Sequence, residues 1–320
     1  VYALHYMIYD LAIIGGGVAG LSAAMYAGRF GLKTVIFSIS TGGTIQLTDV
    51  VENYPGFKVL TGGELAKKLR DHAMVYKPKI VNKGATKITK QRRCFSILAG
   101  KKYKAKSVIL ATGTAWRRLG VPGAKEFENK GVHFCAQCDG PNYKGKVTAV
   151  VGGADSAAKA ALALAGIAKK VYIIYRKDKI RPEPINYDRV IKNKKITIIN
   201  NTNVTEVLGD KTVKGVTLDR KFMNSFSLGV DAVFTEIGHI PITMLASQLK
   251  VKLNKKGEVK TDKLMQTSLP GFFAAGDVTD TPFKQAITAA SEGCIAAFSA
   301  YDYVAKTPLC TYGPDPIKSR

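Results

Sequence analysis

No apolar run in this 320-residue chain approaches the roughly 20 residues that a membrane-spanning helix needs. The opening "VYALHYMIYDLAIIGGG" carries an apolar stretch but no basic leader and no small-residue cleavage site, so it reads as a first strand rather than a signal peptide. Five cysteines, Cys94, Cys135, Cys138, Cys294 and Cys310, are too few and too scattered for a secreted disulfide scaffold, which points to a reducing cytoplasm. Acidic residues are scarce as well: 24 Asp and Glu stand against 48 Lys and Arg, a formal charge of +24. Such a field attracts polyanions. The basic residues are nevertheless dispersed in pieces such as "GKKYKAKS" and "NKKGEVK", without the aromatic interleaving that a single-stranded nucleic acid site uses. A solvated basic surface with no specific nucleic-acid site is the expectation. No short tandem repeat is visible.

What the chain does have is apolar residues, 46% of the total, and 31 glycines. The length suits two domains. Two segments repeat one design. "YDLAIIGGGVAGLSAAMYAGRFGLKTVIFS" runs strand, glycine turn, small-residue helix, glycine, strand, and "KVTAVVGGADSAAKAALALAGIAKKVYIIYRKD" does so again. Each is a βαβ unit of about 30 residues. Other β-branched runs are "KSVILATGT", "KITIINNTNVTEVLG" (195–209), "DAVFTEIG" and "GFFAAGD". The last is read as leading into the helix "FKQAITAASEGCIAAFSAYDYVA", and the tail after it as loose.

The first glycine turn reads Gly15-x-Gly17-x-x-Gly20. Gly15 permits the tight turn, Gly17 lets the backbone approach a pyrophosphate, and Gly20 lets helix pack on strand. The second strand of this unit ends without an acid for a ribose hydroxyl, and Ser38 is the nearest substitute. The second turn is "GGADSA", from Gly152 and Gly153 through Asp155 and Ser156 to Ala157, with Ala154 at the middle position where a methyl crowds a ligand. Arg176, Lys177 and Arg181 follow this unit's second strand, where cations favour a 2′-phosphate and hence NADPH; the alternative is ordinary surface charge. Gly276 and Asp277 end the last buried strand, with Asp277 able to accept from a ribityl hydroxyl or to cap a helix.

"HFCAQCDG" lies inside the stretch between the two turns. A zinc site wants two further ligands beside Cys135 and Cys138, and only His133 is near, so no metal is expected. An inert buried pair is possible. A redox pair fits best, since C-x-x-C closes a small disulfide ring and Asp139 can give or take the proton when thiolates form. Cys94, Cys294 and Cys310 read as ordinary small apolar or surface residues.

The fragments "GGGVAGLSAAMYA", "VENYPGF", "LATGT", "CAQCDG", "GGADSA", "YRKDKIR", "EIGH", "TSLPGFFAAGD" and "QAITAASEGCIAA" resemble, in order and spacing, the low-molecular-weight thioredoxin reductases. That resemblance implies an α/β fold of two Rossmann-like dinucleotide-binding domains, the second inserted in the first, three-layered with small β-sheets. The FAD domain would comprise 1–117 and 242–320 and the NADPH domain 118–241, with hinges near Arg117 and Ile240. It further implies FAD on Gly15, Gly17, Gly20, Asn53, Gly276, Asp277, Gln285 and Ala286. It implies NADPH on Gly152, Gly153, Asp155, Ser156, Arg176, Lys177 and Arg181. Cys138 would lie nearer the flavin, Asp139 would be the acid, and Cys135 would attack the disulfide of thioredoxin or a thioredoxin-like protein. A homodimer is implied too. The departures from the family pattern, Ala154, Tyr175-Arg176-Lys177 and the "AAK" of 157–159, cluster on the nicotinamide side, with "GGTI" (42–45) the one on the flavin side. They leave room for another donor such as ferredoxin. A flavin- or polyanion-binding protein without turnover is the third reading.

Overall fold

The computed structural model describes residues 7–307, so His5, Cys310 and most of the tail lie outside the described residues. The chain forms two compact units, one from 1–114 with 241–320 and the other from 115–240.

In the first unit the β-branched runs make a seven-stranded sheet. Its parallel centre is Lys79–Val81, Thr34–Phe37, Ile8–Ile14 and Lys101–Leu110, with Phe272–Ala274 also parallel to Lys101–Leu110. Cys94–Ala99 and Lys87–Gln91 extend it antiparallel. Strand side chains alternate between faces. Ala12 and Ile14 therefore join Val35, Phe37 and Val108 on one side. Leu11 and Ile13 join Ile36, Ile109 and Phe273 on the other. That second face carries the helices Val18–Arg29 and Ala286–Lys306. They meet through small residues: a methyl on Gly293 would strike the Ala19 carbonyl.

The second unit has a five-stranded parallel sheet in the order Ile196–Ile199, Lys170–Ile174, Val147–Val151, Ala232–Thr235, Val132–His133. Asp155–Ile167 is its crossover helix, all but polar-free on the buried side through Ala157, Ala158, Ala161 and Leu164. A three-stranded antiparallel meander, Val204–Gly209, Val213–Phe222 and Ser225–Gly229, completes the unit.

Two expectations change. The run 195–209 is not one strand: Ile196–Ile199 and Val204–Gly209 belong to different sheets, because "NNTN" turns the chain with Asn201 at φ 54°. The last strand does not lead directly into a helix either. Phe272–Ala274 is followed by a loop, and the helix begins only at Ala286.

Candidate functional site

Strand Ile8–Ile14 ends at Gly15, which adopts φ +114° and donates its N–H to the Phe37 carbonyl at 2.9 Å. A methyl there would strike the Ala111 carbonyl, and one on Gly20 the Gly15 carbonyl. Gly17 is different. It is the N-cap of helix Val18–Arg29, with extended backbone, and a methyl on it would meet only the Gly43 Cα at 3.8 Å. No side chain caps this helix. Its first N–H groups lie free of side-chain caps beside an open glycine, an arrangement whose chemistry suits an anion. The "GGTI" segment keeps its place against the turn, since Gly42 N–H donates to the Gly16 carbonyl at 2.7 Å. Ser38, the nearest substitute for a ribose acid, is buried, and its hydroxyl donates to the Ser40 carbonyl at 2.9 Å.

On the same unit, Asn53 donates to the Gln285 side chain at 3.1 Å across 232 positions of sequence. Gln285 is also the N-cap residue of the helix that starts at Ala286, and its N–H donates to the Thr288 hydroxyl at 3.0 Å. Gly276 has φ +80° and donates to Glu292 at 2.7 Å. Glu292 also accepts from the Thr279 hydroxyl. This buried carboxylate, which the sequence did not single out, fixes the Gly276–Asp277 turn. Burial raises its carboxyl against those hydrogen bonds. Asp277 is half-buried in the loop, and its carbonyl accepts from Lys284 at 2.8 Å.

The second turn repeats the first in backbone. Gly152 has φ +150°, and Ala154 is the N-cap of its helix with φ −96° and ψ −170°, close to the −78° and −169° of Gly17. Alanine at the middle position therefore fits the turn, and its methyl is exposed. The surroundings differ. Tyr175 is buried, with its ring laid over Gly153. Arg181 N–H donates to the Gly153 carbonyl at 2.7 Å, bringing the 176–181 loop to the turn, and Arg176, Lys177 and Arg181 are all exposed there. Asp155 is already engaged: it pairs with Lys159 at 2.8 Å and accepts from Asn186 and from Glu183 N–H. Burial pushes its carboxyl up, but those partners outweigh burial and leave it below its usual value.

Beside this turn lies a group missed in the sequence. Glu236 follows strand Ala232–Thr235, and its carbonyl touches Gly152. Burial pushes its carboxyl from 4.5 up to about 7, against a hydrogen bond with Ser156. A raised carboxyl means that the folded chain holds the proton longer than the unfolded one. Its stability cost is absent below about pH 4.5, grows as pH rises towards 7, and is complete above it. Glu236→Gln, which mimics the protonated form, is expected to stabilise the protein by about 3 kcal/mol at pH 8 and by almost nothing at pH 4.5. Urea unfolding at the two pH values checks this, and an equal effect at both would contradict it.

Cys135 and Cys138 form a disulfide. Cys135 is the N-cap of the short helix Ala136–Asp139, and Cys138 N–H donates to Cys135 Sγ at 3.1 Å. That N–H is placed to stabilise a thiolate at Cys135 once the bond is reduced. Cys135 is half-buried and Cys138 exposed. Asp139 faces back to His133, with Oδ2 at 3.4 Å from Nδ1. Among the described residues no group of three or more His, Cys, Asp and Glu side chains could hold a metal ion, and no helix is long and apolar enough to cross a membrane. Of the other cysteines, Cys294 is a free thiol that burial raises to about 11. Cys94 corrects the reading above: it is not an ordinary small residue but is disulfide-bonded.

Comparison with known proteins agrees with this geometry. The pyridine nucleotide-disulphide oxidoreductase family model matches residues 9–293. Thioredoxin reductase of Treponema pallidum is 41% identical, the match covering 92% of this chain and 97% of that protein. The structure of Lactococcus lactis thioredoxin reductase is 33% identical with a TM-score of 0.90, covering 93% of this chain and all of that one. A ferredoxin-flavin thioredoxin reductase from Clostridium acetobutylicum is 31% identical with a TM-score of 0.52, covering 95% and 100%. Two glycine-turn units with a cysteine disulfide on the second, matched along nearly the whole length, make this chain a member of the pyridine nucleotide-disulphide oxidoreductase family, of the thioredoxin reductase type.

Proposed function

We propose that the protein is a thioredoxin reductase that carries electrons from a reduced pyridine nucleotide, through FAD, to the Cys135–Cys138 disulfide and on to thioredoxin or a thioredoxin-like protein. The observation that carries this reading is the closed Cys135–Cys138 disulfide with Asp139 directly behind it. The first unit fits FAD: Gly15, Gly17 and Gly20 form the pyrophosphate cradle, with Gly276, Asp277 and the Asn53–Gln285–Ala286 cluster on the same unit. FAD, when bound, accepts a hydride equivalent and releases two electrons to the disulfide.

The protein's own residues then carry out dithiol–disulfide exchange. Cys135, as thiolate, attacks one sulfur of the substrate disulfide and the other sulfur leaves as a thiolate. Cys138 next attacks Cys135 Sγ, the mixed disulfide breaks, and the substrate departs as a dithiol while the Cys135–Cys138 bond closes again. Asp139 holds the proton that a departing sulfur needs. A homodimer in a reducing cytoplasm belongs to the same reading, as the family resemblance implies.

NADPH is the donor this reading names. Gly152, Gly153 and Ser156 supply the turn, and Arg176, Lys177 and Arg181 are exposed around it where a 2′-phosphate is recognised. Replacing Arg176 and Lys177 together by alanine is expected to weaken NADPH binding about 10–100-fold and to leave NADH almost unaffected. Anaerobic titration with each nucleotide, read as loss of the oxidised flavin absorbance, checks it; equal losses for both nucleotides would contradict it. A second reading replaces the donor with reduced ferredoxin or another flavin carrier. It is favoured by Tyr175 covering Gly153, by Asp155 being engaged within the protein, and by likeness to the ferredoxin-flavin enzyme. The same titration separates the two: wild-type flavin bleaches with modest excess NADPH under the first reading and stays oxidised under the second.

A further inference from the structure

His133 enters the sequence only as an insufficient partner for zinc, yet it is the side chain packed behind the redox pair. It ends strand Val132–His133 and is 5% exposed. Nε2 lies 2.8 Å from the Tyr143 hydroxyl. Nδ1 lies 3.4 Å from Asp139 Oδ2 but makes no hydrogen bond, and is one of the few buried polar side-chain atoms left without one among the described residues. The ring is held between Tyr143 and Phe234, and the Thr235 hydroxyl donates to the His133 carbonyl at 3.1 Å. One ring nitrogen is thus anchored and the other is orphaned and aimed at a carboxylate. Orphaned buried polar atoms are rare, and this one touches the acid that the exchange reaction uses.

We propose that His133 is the positioning residue for Asp139: its imidazole, oriented by the Tyr143 hydroxyl, complements the Asp139 carboxyl in both protonation states during exchange at Cys135–Cys138. The proposal rests on the redox reading of that pair. Burial lowers the His133 imidazole more strongly than Asp139 raises it, so the ring is neutral at neutral pH and carries one proton for two nitrogens. The Tyr143 hydroxyl can donate to Nε2 or accept from it. When it donates, the ring proton sits on Nδ1 and faces the ionised carboxylate. When it accepts, Nδ1 is bare and takes a hydrogen bond from the protonated carboxyl. In passing from the first form to the second, Nδ1 gives its proton to the Asp139 carboxylate while Nε2 takes one from the Tyr143 hydroxyl, which half-buried Tyr143 replaces from solvent, so the ring stays neutral. Burial first, then Asp139 and Asp231, raises the Tyr143 phenol, and Asp231 itself faces Lys146 at 3.9 Å; Phe234 and Thr235, from the adjacent strand, are uncharged.

The test uses the flavin-loaded full chain with His133→Phe, His133→Asn and Tyr143→Phe. The first readout is the pH profile of kcat for thioredoxin reduction. The second needs neither donor nor protein substrate: the pair is reduced with a phosphine, and iodoacetamide alkylation of Cys135 and Cys138 is followed against pH. His133→Phe and Tyr143→Phe are each expected to lower kcat about tenfold and to displace both profiles by about half a pH unit. His133→Asn, whose amide can donate or accept near the Nδ1 position, is expected to recover most of both. Profiles that overlay the wild type in His133→Phe, or a uniform loss at every pH that asparagine does not rescue, would overturn the proposal. Should His133→Phe fail to fold, Tyr143→Phe decides by the same outcomes. A wild type that does not reduce thioredoxin, with the alkylation profile still displaced in His133→Phe and recovered in His133→Asn, removes the functional reading and leaves this one standing.

Discussion

Cys135→Ser is expected to retain flavin and fold while losing thioredoxin reduction by about ten-thousandfold or more. A serine hydroxyl is not ionised near neutral pH, so it cannot attack a disulfide sulfur, and the remaining Cys138 thiol has no partner with which to close a disulfide and complete turnover. Cys294 is no substitute: it belongs to the first unit's long helix, and its thiol is raised to about 11. The fold should tolerate the change. Cys135 caps only a four-residue helix, and serine is a better cap than cysteine, able to accept from the same Cys138 N–H. Cys138→Ser should fail differently. Cys135 would still attack the substrate, but nothing would resolve the mixed disulfide, so a covalent one-to-one complex with thioredoxin should accumulate and be released by reductant. Gel mobility under non-reducing conditions reads this directly. Trapping by Cys135→Ser and not by Cys138→Ser would reverse the assignment of the two sulfurs, and retained turnover in Cys135→Ser would contradict the redox role of the pair.

Gly15→Ala is expected to yield protein without flavin and to destabilise it by about 2–6 kcal/mol. Two costs add. At φ +114° an alanine is strained by about 1–3 kcal/mol. Its methyl also strikes the Ala111 backbone, which is held in place where Ala111 N–H donates to the Ile14 carbonyl at 2.7 Å. Overpacking of this kind adds about 1–3 kcal/mol. Gly17→Ala separates binding from folding. Its backbone is already in a conformation that Ala154 adopts in the second unit, and the methyl has space. It should keep the stability of the wild type within about 0.5 kcal/mol and lose flavin affinity about tenfold, since the methyl stands where the pyrophosphate approaches. Flavin content after gel filtration and urea midpoints measure both. If Gly15→Ala kept both flavin and stability, the first turn would not be the cofactor cradle.

The features that were legible in the sequence are those with a local cause. Gly15 and Gly152 need positive φ, and each sits between an apolar strand and an alanine-rich helix, so the two turns announce themselves. The Cys135–Cys138 spacing closes a disulfide without any tertiary information. The features that were not legible depend on neighbours far along the chain. Gln285 is seldom an N-cap type, and its tie to Asn53 spans 232 positions. Glu236 is unremarkable in "FTEIG" until the fold buries it beside Gly152. Glu292 reads as a surface residue of a helix, but the long loop after Phe272–Ala274 brings the Gly276 N–H to it. Asn201 split a β-run that the residue pattern joined, because turn chemistry outweighed strand propensity there. His133, Tyr143 and Asp139 lie within eleven consecutive positions, yet their convergence needs the strand, the short helix and the following turn together.

The most direct measurement of the central claim bypasses the electron donor. The purified flavoprotein is reduced photochemically under anaerobic conditions, an excess of oxidised thioredoxin is added, and the flavin absorbance is followed. The account predicts full reoxidation in the wild type, with stoichiometric appearance of thioredoxin thiols, and a flavin that stays reduced in Cys135→Ser. A wild-type flavin that stays reduced, or one that reoxidises equally in Cys135→Ser, would contradict it.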